Sequence, residues 1–286
     1  MATDILDKAE AIIGERPLNA TPLEGGEIGL VYHLSMPDGS DLVIKTPRPG
    51  IRPTMEIEAR MLGYLGRHSD LPVPKVHMVA EKALVMSYIP SQPGLTRAAQ
   101  EDAARHIASL HAVKADNFGL PFDTVIGTLE QPNAGGNEWV PFFTHYRLLY
   151  MAKESLRVGR ITESFYERLH NFAEKLPDLI GEPSHPSLVH GDLWTGNVLV
   201  NGDEISGLVD PAIYYGHGEM DLAFSMLFGT FGQTFFDAYQ QYRAIEPGFF
   251  EERKDIYNLW PLLVHVRLFG GSYQKSVSNI ITRFGC

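Results

Sequence analysis

Residues 188–200, LVHGDLWTGNVLV, hold an Asp, an Asn five positions later and an apolar run directly after it. A second apolar run, ISGLV (205–209), follows the turn sequence NGDE (201–204). Asn-Gly between two apolar runs is a strong hairpin signal. Closing that hairpin joins its outer ends, so Asn197 and Asp210 should converge, with Asp192 on the same loop. Carboxylate and amide oxygens suit a hard cation such as Mg²⁺, which commonly takes one or two protein ligands together with nucleotide phosphates. Asn197 and Asp210 are therefore the candidate metal ligands. A further carboxylate held off the metal can align an attacking hydroxyl and accept its proton, and Asp192 is the candidate for that role.

The rest of the chain must position these groups. Residues 28–35 and 41–46 read as β-prone runs around MPDG, a turn sequence. The segment 54–67 places Ile57, Met61, Leu62 and Leu65 at helical spacing, with Thr54 available as its cap. Residues 71–80 and 82–90 read as two more strands, and PSQPG (90–94) is a break. Helical patterns then dominate, over 96–113, 142–159 and 162–180, while 115–140 is a long connection. Strands first and helices later predict an α+β chain of two lobes: a small β-rich one over 1–90 and a larger, mainly helical one over 91–286.

The order Asp192, Asn197, Asp210 resembles the protein-kinase-like superfamily. HGDLWTGN stands where protein kinases have His-Arg-Asp and its Asn, and VDPA stands where they have Asp-Phe-Gly. With no activation segment between Asp210 and the next helix, the chain resembles the small-molecule branch that includes aminoglycoside and choline kinases. The resemblance implies a two-lobed protein-kinase-like fold that binds ATP and Mg²⁺. It assigns Lys45, at the end of LVIK, to the α/β-phosphates and Glu58 to holding that lysine. Gly25, Gly26 and Gly29 of EGGEIGLVY would cover the phosphates, although Glu24 stands where the full glycine pattern has its first glycine. VMSYIP (85–90) would be the hinge, with the backbone of Ser87, Tyr88 and Ile89 facing adenine and Met86 behind it.

Phe118-Gly119, Ile126-Gly127, Gln131 and Asn133, Trp139, Phe142-Phe143 and Arg147-Leu148 closely resemble the fructosamine (ketosamine) kinase family. Trp194, the run DPAIYYGHGEMDLAFSMLFG and the late HVRLFGGSY match it as well. The resemblance implies ATP-dependent phosphorylation of the C3 hydroxyl of a ketosamine, free or protein-bound, for repair of glycated amines. Trp194, Tyr214, Tyr215, His217 and Glu219 lie next to Asp192 and Asp210 and are the candidate substrate contacts, with Glu219 facing the amine cation. Two rivals stay open: a kinase for an aminoglycoside, choline or homoserine-like alcohol, and a non-catalytic pseudokinase scaffold. Asp221 reads as an acceptor of backbone N–H groups, His190 as a brace for the backbone and His111 as a helix-packing histidine.

Composition narrows the setting. A net charge of −11 argues against a nucleic-acid or anionic-membrane surface and suits a neutral or cationic small substrate. No stretch reaches the roughly 18 unbroken apolar residues of a membrane span, and the amphipathic start is unlike a signal peptide, so the expected place is the cytoplasm. The one cysteine, Cys286, excludes an intrachain disulfide. Oligomeric state is left open.

Overall fold

The computed structural model describes residues 2–23 and 29–286. Helix α1 (Ala2–Ile13) precedes strands β1 (Asn19–Pro22), β2 (Gly29–Ser35) and β3 (Asp41–Pro47). Helix α2 (Met55–His68) follows, then β4 (Val76–Ala80) and β5 (Ala83–Ser87). The five strands form one antiparallel sheet in the order β1-β2-β3-β5-β4. Successive strand residues face opposite sides, and the core divides accordingly. Ile44, Leu34 and Val85 pack with Ile5 and Ala9 of α1. Val43, Leu84 and Met86 pack with Met55 and Leu62 of α2. The sheet thus lies between two helices, and its central strand β3 is buried over Val43–Thr46.

Beyond residue 90 come α3 (Arg97–His111), the short pair β6 (Thr124–Ile126) and β7 (Leu129–Gln131), and α4 (Trp139–Phe143). A π-helical turn over Thr144–Leu148 joins α4 to α5 (Leu149–Arg157), and α6 (Glu163–Ala173) and α7 (Leu176–Leu179) follow. Next are β8 (Ser187–Val189), the hairpin β9 (Val198–Asn201) and β10 (Glu204–Leu208), and β11 (Tyr214–Gly216). Helices α8 (Glu219–Leu227), α9 (Gln233–Tyr242), α10 (Lys254–Phe269) and α11 (Tyr273–Arg283) complete the chain. β9 pairs β10 and β8 pairs β11, both antiparallel. The fold is α+β and protein-kinase-like, a β-sheet region followed by a helical one.

Local differences from the sequence reading have local causes. Thr96 caps α3 by accepting the amide of Ala99 at 3.1 Å, as its position suggests, but the Thr54 hydroxyl makes no cap bond on α2. The helix expected over 142–159 begins at Trp139 and carries the π-helical turn, after the Thr144 hydroxyl donates to the Val140 carbonyl at 2.7 Å. The helix expected over 162–180 is interrupted at Lys175, and Pro177 opens α7 where its missing N–H costs nothing. The 115–140 connection is organised around the β6–β7 hairpin. Among the described residues no helix is long and apolar enough to cross a membrane.

Candidate active site

Lys45 lies on β3 and Glu58 in the first turn of α2, and both are buried, at 7% and 5% exposure. The Lys45 ammonium donates to Glu58 at 2.9 Å and to Asp210 Oδ1 at 2.7 Å. Burial opposes charge on the lysine, but the two carboxylates outweigh it and hold its pKa above the ordinary value. Burial also pushes Glu58 up, to about 7, against the pull of Lys45. Burial pushes Asp210 up, but the charge of Lys45 together with the hydrogen bonds of Lys45 and Glu58 outweighs it, so Asp210 ends below its ordinary range. Lysine and Asp210 are therefore the firmly ionised pair, and Glu58 is the softer partner.

The hairpin delivers Asp210 as its turn chemistry predicts. The Val209 amide donates to the Asn197 carbonyl at 3.0 Å, which ties the strand ends together. Asp210 itself has φ 51, the one positive φ at a non-glycine among the described residues. That region costs an L-residue roughly 1–2 kcal/mol, with Asp among the tolerant types. Asn197 donates through Nδ2 to the Asp192 carbonyl at 2.8 Å and to Asp192 Oδ2 at 2.9 Å. This assigned amide orientation leaves Oδ1 as the oxygen able to meet a cation. Burial raises the Asp192 carboxyl to about 7, although the Asn197 bond works in the other direction.

The loop is braced from below. Asp221 accepts the amides of His190 at 2.7 Å and Gly191 at 2.8 Å, and contacts His111 Nε2 at 3.1 Å. His111 Nδ1 meets the Tyr239 hydroxyl at 2.8 Å. These contacts are those of the bracing and packing roles read for Asp221 and His111. His190 is fully buried and its Nε2 has no partner among the described residues, so burial lowers its pKa and favours the neutral ring. Gly191 has φ 80, and a Cβ there would lie 2.1 Å from the Ala212 carbonyl oxygen. The His-Gly-Asp departure from His-Arg-Asp thus has a steric reason. Backbone crosses backbone at this point, and only glycine allows it.

At the end of β5, the Ser87 amide donates to Lys75 and the Tyr88 amide to Asp41, while the Ile89 amide makes no hydrogen bond among the described residues. Met86 is buried among Val43, Met55 and Leu62. The Ile89 side chain lies close over Gly207 of β10, where a Cβ would come within 2.5 Å of it. Gly29 abuts Lys45 Cε in the same way, at 3.3 Å. Gly25 and Gly26 lie outside the described residues.

The expected substrate contacts separate. Trp194 is 38% exposed. Tyr214 is fully buried beneath the Arg147 guanidinium, 3.9 Å from its ring centroid. Tyr215 is buried with its hydroxyl 3.2 Å from that of Tyr64 on α2. His217 lies between the rings of Trp139 and Tyr257. Glu219, expected to face an amine, is instead forked by Arg253 at 2.6 and 2.8 Å, because a buried carboxylate must find a partner inside the protein.

Sequence reasoning missed Arg253 and Tyr64, whose partners are distant in sequence and whose types carry no motif, and it read Arg147 as part of the family pattern without its place over Tyr214. It also gave no role to the connection around β6–β7. Gln131 donates to the Ala212 carbonyl at 2.9 Å, Thr124 donates to Ile213, and Gly119 exchanges backbone bonds with Tyr215. On its other side Phe122 receives the Arg60 guanidinium 3.5 Å above its ring and meets Tyr64 edge-on. Arg52 pairs with Glu130 at 2.5 Å. The connection therefore clasps α2, which carries Glu58, to the segment that follows Asp210.

Comparison with known proteins places the chain in a family. The sequence pattern of the fructosamine kinase family matches residues 1–284. An Enterococcus faecium protein provisionally named a ketoamine kinase is 32% identical over 96% of this chain and 99% of its own. The protein-ribulosamine 3-kinase of Arabidopsis thaliana chloroplasts is 33% identical over 90% of this chain and 79% of its own. A Thermobifida fusca crystal structure provisionally identified as a fructosamine-3-kinase superposes with a TM-score of 0.88 at 28% identity, over 99% of this chain and 98% of that one. A mutant aminoglycoside phosphotransferase in ternary complex with AMP-PNP and hygromycin B shares the fold, with a TM-score of 0.69 at 15% identity over 99% of each chain. The chain belongs to the fructosamine kinase family.

Proposed function

We propose that the protein transfers the γ-phosphoryl group of ATP to the C3 hydroxyl of a ketosamine in the cytoplasm. The observation that carries this reading is the convergence of the Lys45, Glu58 and Asp210 ion triad with the Asp192–Asn197 pair, in a chain of the fructosamine kinase family. The hydroxyl oxygen forms the new bond to phosphorus as the bond to the ADP oxygen breaks, and Asp192 accepts the hydroxyl proton. Lys45 offsets phosphate charge and Glu58 keeps it in place. Ile89, with its uncommitted amide, and Met86 take the adenine edge of the cleft between residues 1–90 and 91–286.

The donor chemistry fits Mg²⁺. Among the described residues no cluster of three His, Cys, Asp or Glu side chains could hold a metal unaided. One carboxylate and one amide oxygen match an ion that shares its coordination with nucleotide phosphates, so Asp210 and Asn197 would hold it. When bound it neutralises charge on the transferring group.

The test is magnesium-dependent ADP release with ribuloselysine, fructoselysine, kanamycin and choline in parallel. Turnover confined to ketosamines, and lowered roughly 10²–10⁴-fold by Asp192→Asn with nucleotide binding retained, supports the reading. Turnover of kanamycin or choline alone sinks it in favour of another small-molecule kinase. ATP binding with no turnover of any acceptor sinks it in favour of a scaffold.

A further inference from the structure

Trp194, Phe228 and Phe269 are 38%, 39% and 47% exposed. They come from the catalytic loop, the end of α8 and the end of α10, yet their rings belong to one surface. Trp194 meets Phe228 edge-on at 6.2 Å between centroids, Phe228 meets His265 at 5.2 Å, and His265 meets Phe269 at 5.7 Å. Two successive glycines with positive φ, Gly270 at 68° and Gly271 at 66°, then reverse the chain. They bring Tyr273, at the start of α11, back to 4.9 Å from His265. The late HVRLFGGSY motif therefore extends an aromatic wall that begins two residues from Asp192.

Contiguous exposed aromatic surface marks a binding region, since single exposed apolar residues are ordinary but adjoining ones are not. A sugar whose hydroxyl sits at Asp192 would lie beside Trp194, two residues along the same loop. Four further rings lie beyond Trp194, those of Phe228, His265, Phe269 and Tyr273. The amine substituent of a ketosamine must lead away from the phosphoryl group, and the wall is exposed surface continuous with the catalytic loop through Trp194. The ammonium of a free lysine can rest on one ring, but a single amino acid cannot cover rings that run on through four further side chains. A polypeptide presents apolar side chains at regular intervals of about 3.3 Å along an extended strand. The net charge of −11 also favours a neutral or basic peptide over an acidic one.

We infer that this wall is an acceptor subsite for the polypeptide that carries a glycated lysine, reading apolar or aromatic residues beside that lysine. The inference rests on the ketosamine kinase reading above. It makes the protein a kinase with a preference for sequence context, beyond recognition of the sugar.

The experiment compares kcat/KM for ribulosyl-lysine, for a hexapeptide with ribulosyl-lysine between leucine and phenylalanine, and for the same peptide with glycines there. Wild type should favour the apolar peptide over the glycine peptide by about tenfold. Phe228→Ala and Phe269→Ala should each remove about fivefold of that preference, the scale of truncating an anchoring side chain. Ribulosyl-lysine turnover should be unchanged in both, and Phe269→Leu should keep most of the preference. Equal wild-type rates on the two peptides would overturn the inference, as would a preference that survives both alanine variants. Parallel loss of ribulosyl-lysine turnover would overturn it too, by showing that the rings support the fold. No ketosamine turnover by wild type, with kanamycin or choline phosphorylated, would overturn the parent reading and this one together.

Discussion

Gly191→Ala tests whether the close crossing under the catalytic loop sets the position of Asp192. A Cβ at this residue would lie 2.1 Å from the Ala212 oxygen and 2.7 Å from its carbonyl carbon. Ordinary contact needs roughly 3.5 Å between heavy atoms, so the two backbones must part by about 1 Å or more. The segment that moves connects His190, hydrogen-bonded to the Ala212 amide at 2.8 Å, to Asp192 on one side and Asp210 on the other. A misplacement of about 1 Å costs on the order of 100-fold in rate. The left-handed conformation adds about 1 kcal/mol of instability for a residue with a Cβ. Gly202→Ala separates the two effects: its φ is 64° and nothing lies within 4 Å, so it pays only the conformational term. The assay is kcat by ADP release on the preferred ketosamine, with thermal unfolding of each variant. The expected result is a folded Gly191→Ala protein about 100-fold slower, and a Gly202→Ala protein of normal kcat, a few degrees less stable. Gly191→Ala working within twofold of wild type would refute the reasoning, and so would an equal loss from Gly202→Ala.

Two further expectations follow from the clasp and from His217. Phe122→Ala removes the ring under Arg60 and beside Tyr64, and with it part of the hold on α2. At roughly 1 kcal/mol for such contacts, KM for ATP should rise about fivefold while KM for the ketosamine stays put. A lower melting temperature with both KM values unchanged would show that the clasp is only structural. Burial pushes His217 down to about 3, with nearby arginines adding to the effect. Its pKa is therefore lowered from the unfolded value of about 6.5. Above pH 6.5 both states are neutral there and His217 contributes nothing to pH dependence. As pH falls from 6.5 towards 3 the unfolded chain takes a proton that the folded chain resists, so stability is lost by up to about 1.4 kcal/mol per unit. Urea unfolding at pH 7.5, 6 and 5 should show this slope in wild type and a shallower one in His217→Gln. The NMR resonance of the His217 imidazole itself, identified by its loss in His217→Gln, titrating near 6.5 in the folded protein would contradict it.

What the sequence disclosed was governed by local chemistry or by motif. The NGDE turn sets the β9–β10 hairpin and with it the meeting of Asn197 and Asp210, because turn preference acts within a few residues. The resemblance to kinases singled out Lys45 and Glu58, while the β-prone run 41–46 and the apolar spacing over 54–67 put them on a strand and a helix, as β3 and α2 are. Tyr214 and Glu219 could not be read from their neighbours. Their burial depends on Arg147 and Arg253, which approach from helices far along the chain. The same holds for the Tyr64–Tyr215 contact, 151 residues apart, and for the Trp194 wall, assembled from three elements. Pairings of this kind are set by tertiary packing, and no residue type announces them.

The clasp on α2 also sets an order of events during synthesis. Met61, Leu65 and Leu71 belong to the same apolar cluster as Phe118, Leu120 and Val125, while the Tyr215 hydroxyl reaches Tyr64 across 151 residues. At 5–20 residues per second, a ribosome needs roughly 10–30 s to cover that interval. The sheet of β1 to β5 can pair as soon as it emerges, but the helix bearing Glu58 keeps an uncovered flank until the clasp arrives. Asp210, 165 residues after Lys45, is made later still than most of what surrounds it. The nascent chain thus carries its lysine for most of its synthesis with Glu58 as its one carboxylate partner of the two, and the phosphate site closes only when the catalytic loop has left the ribosome.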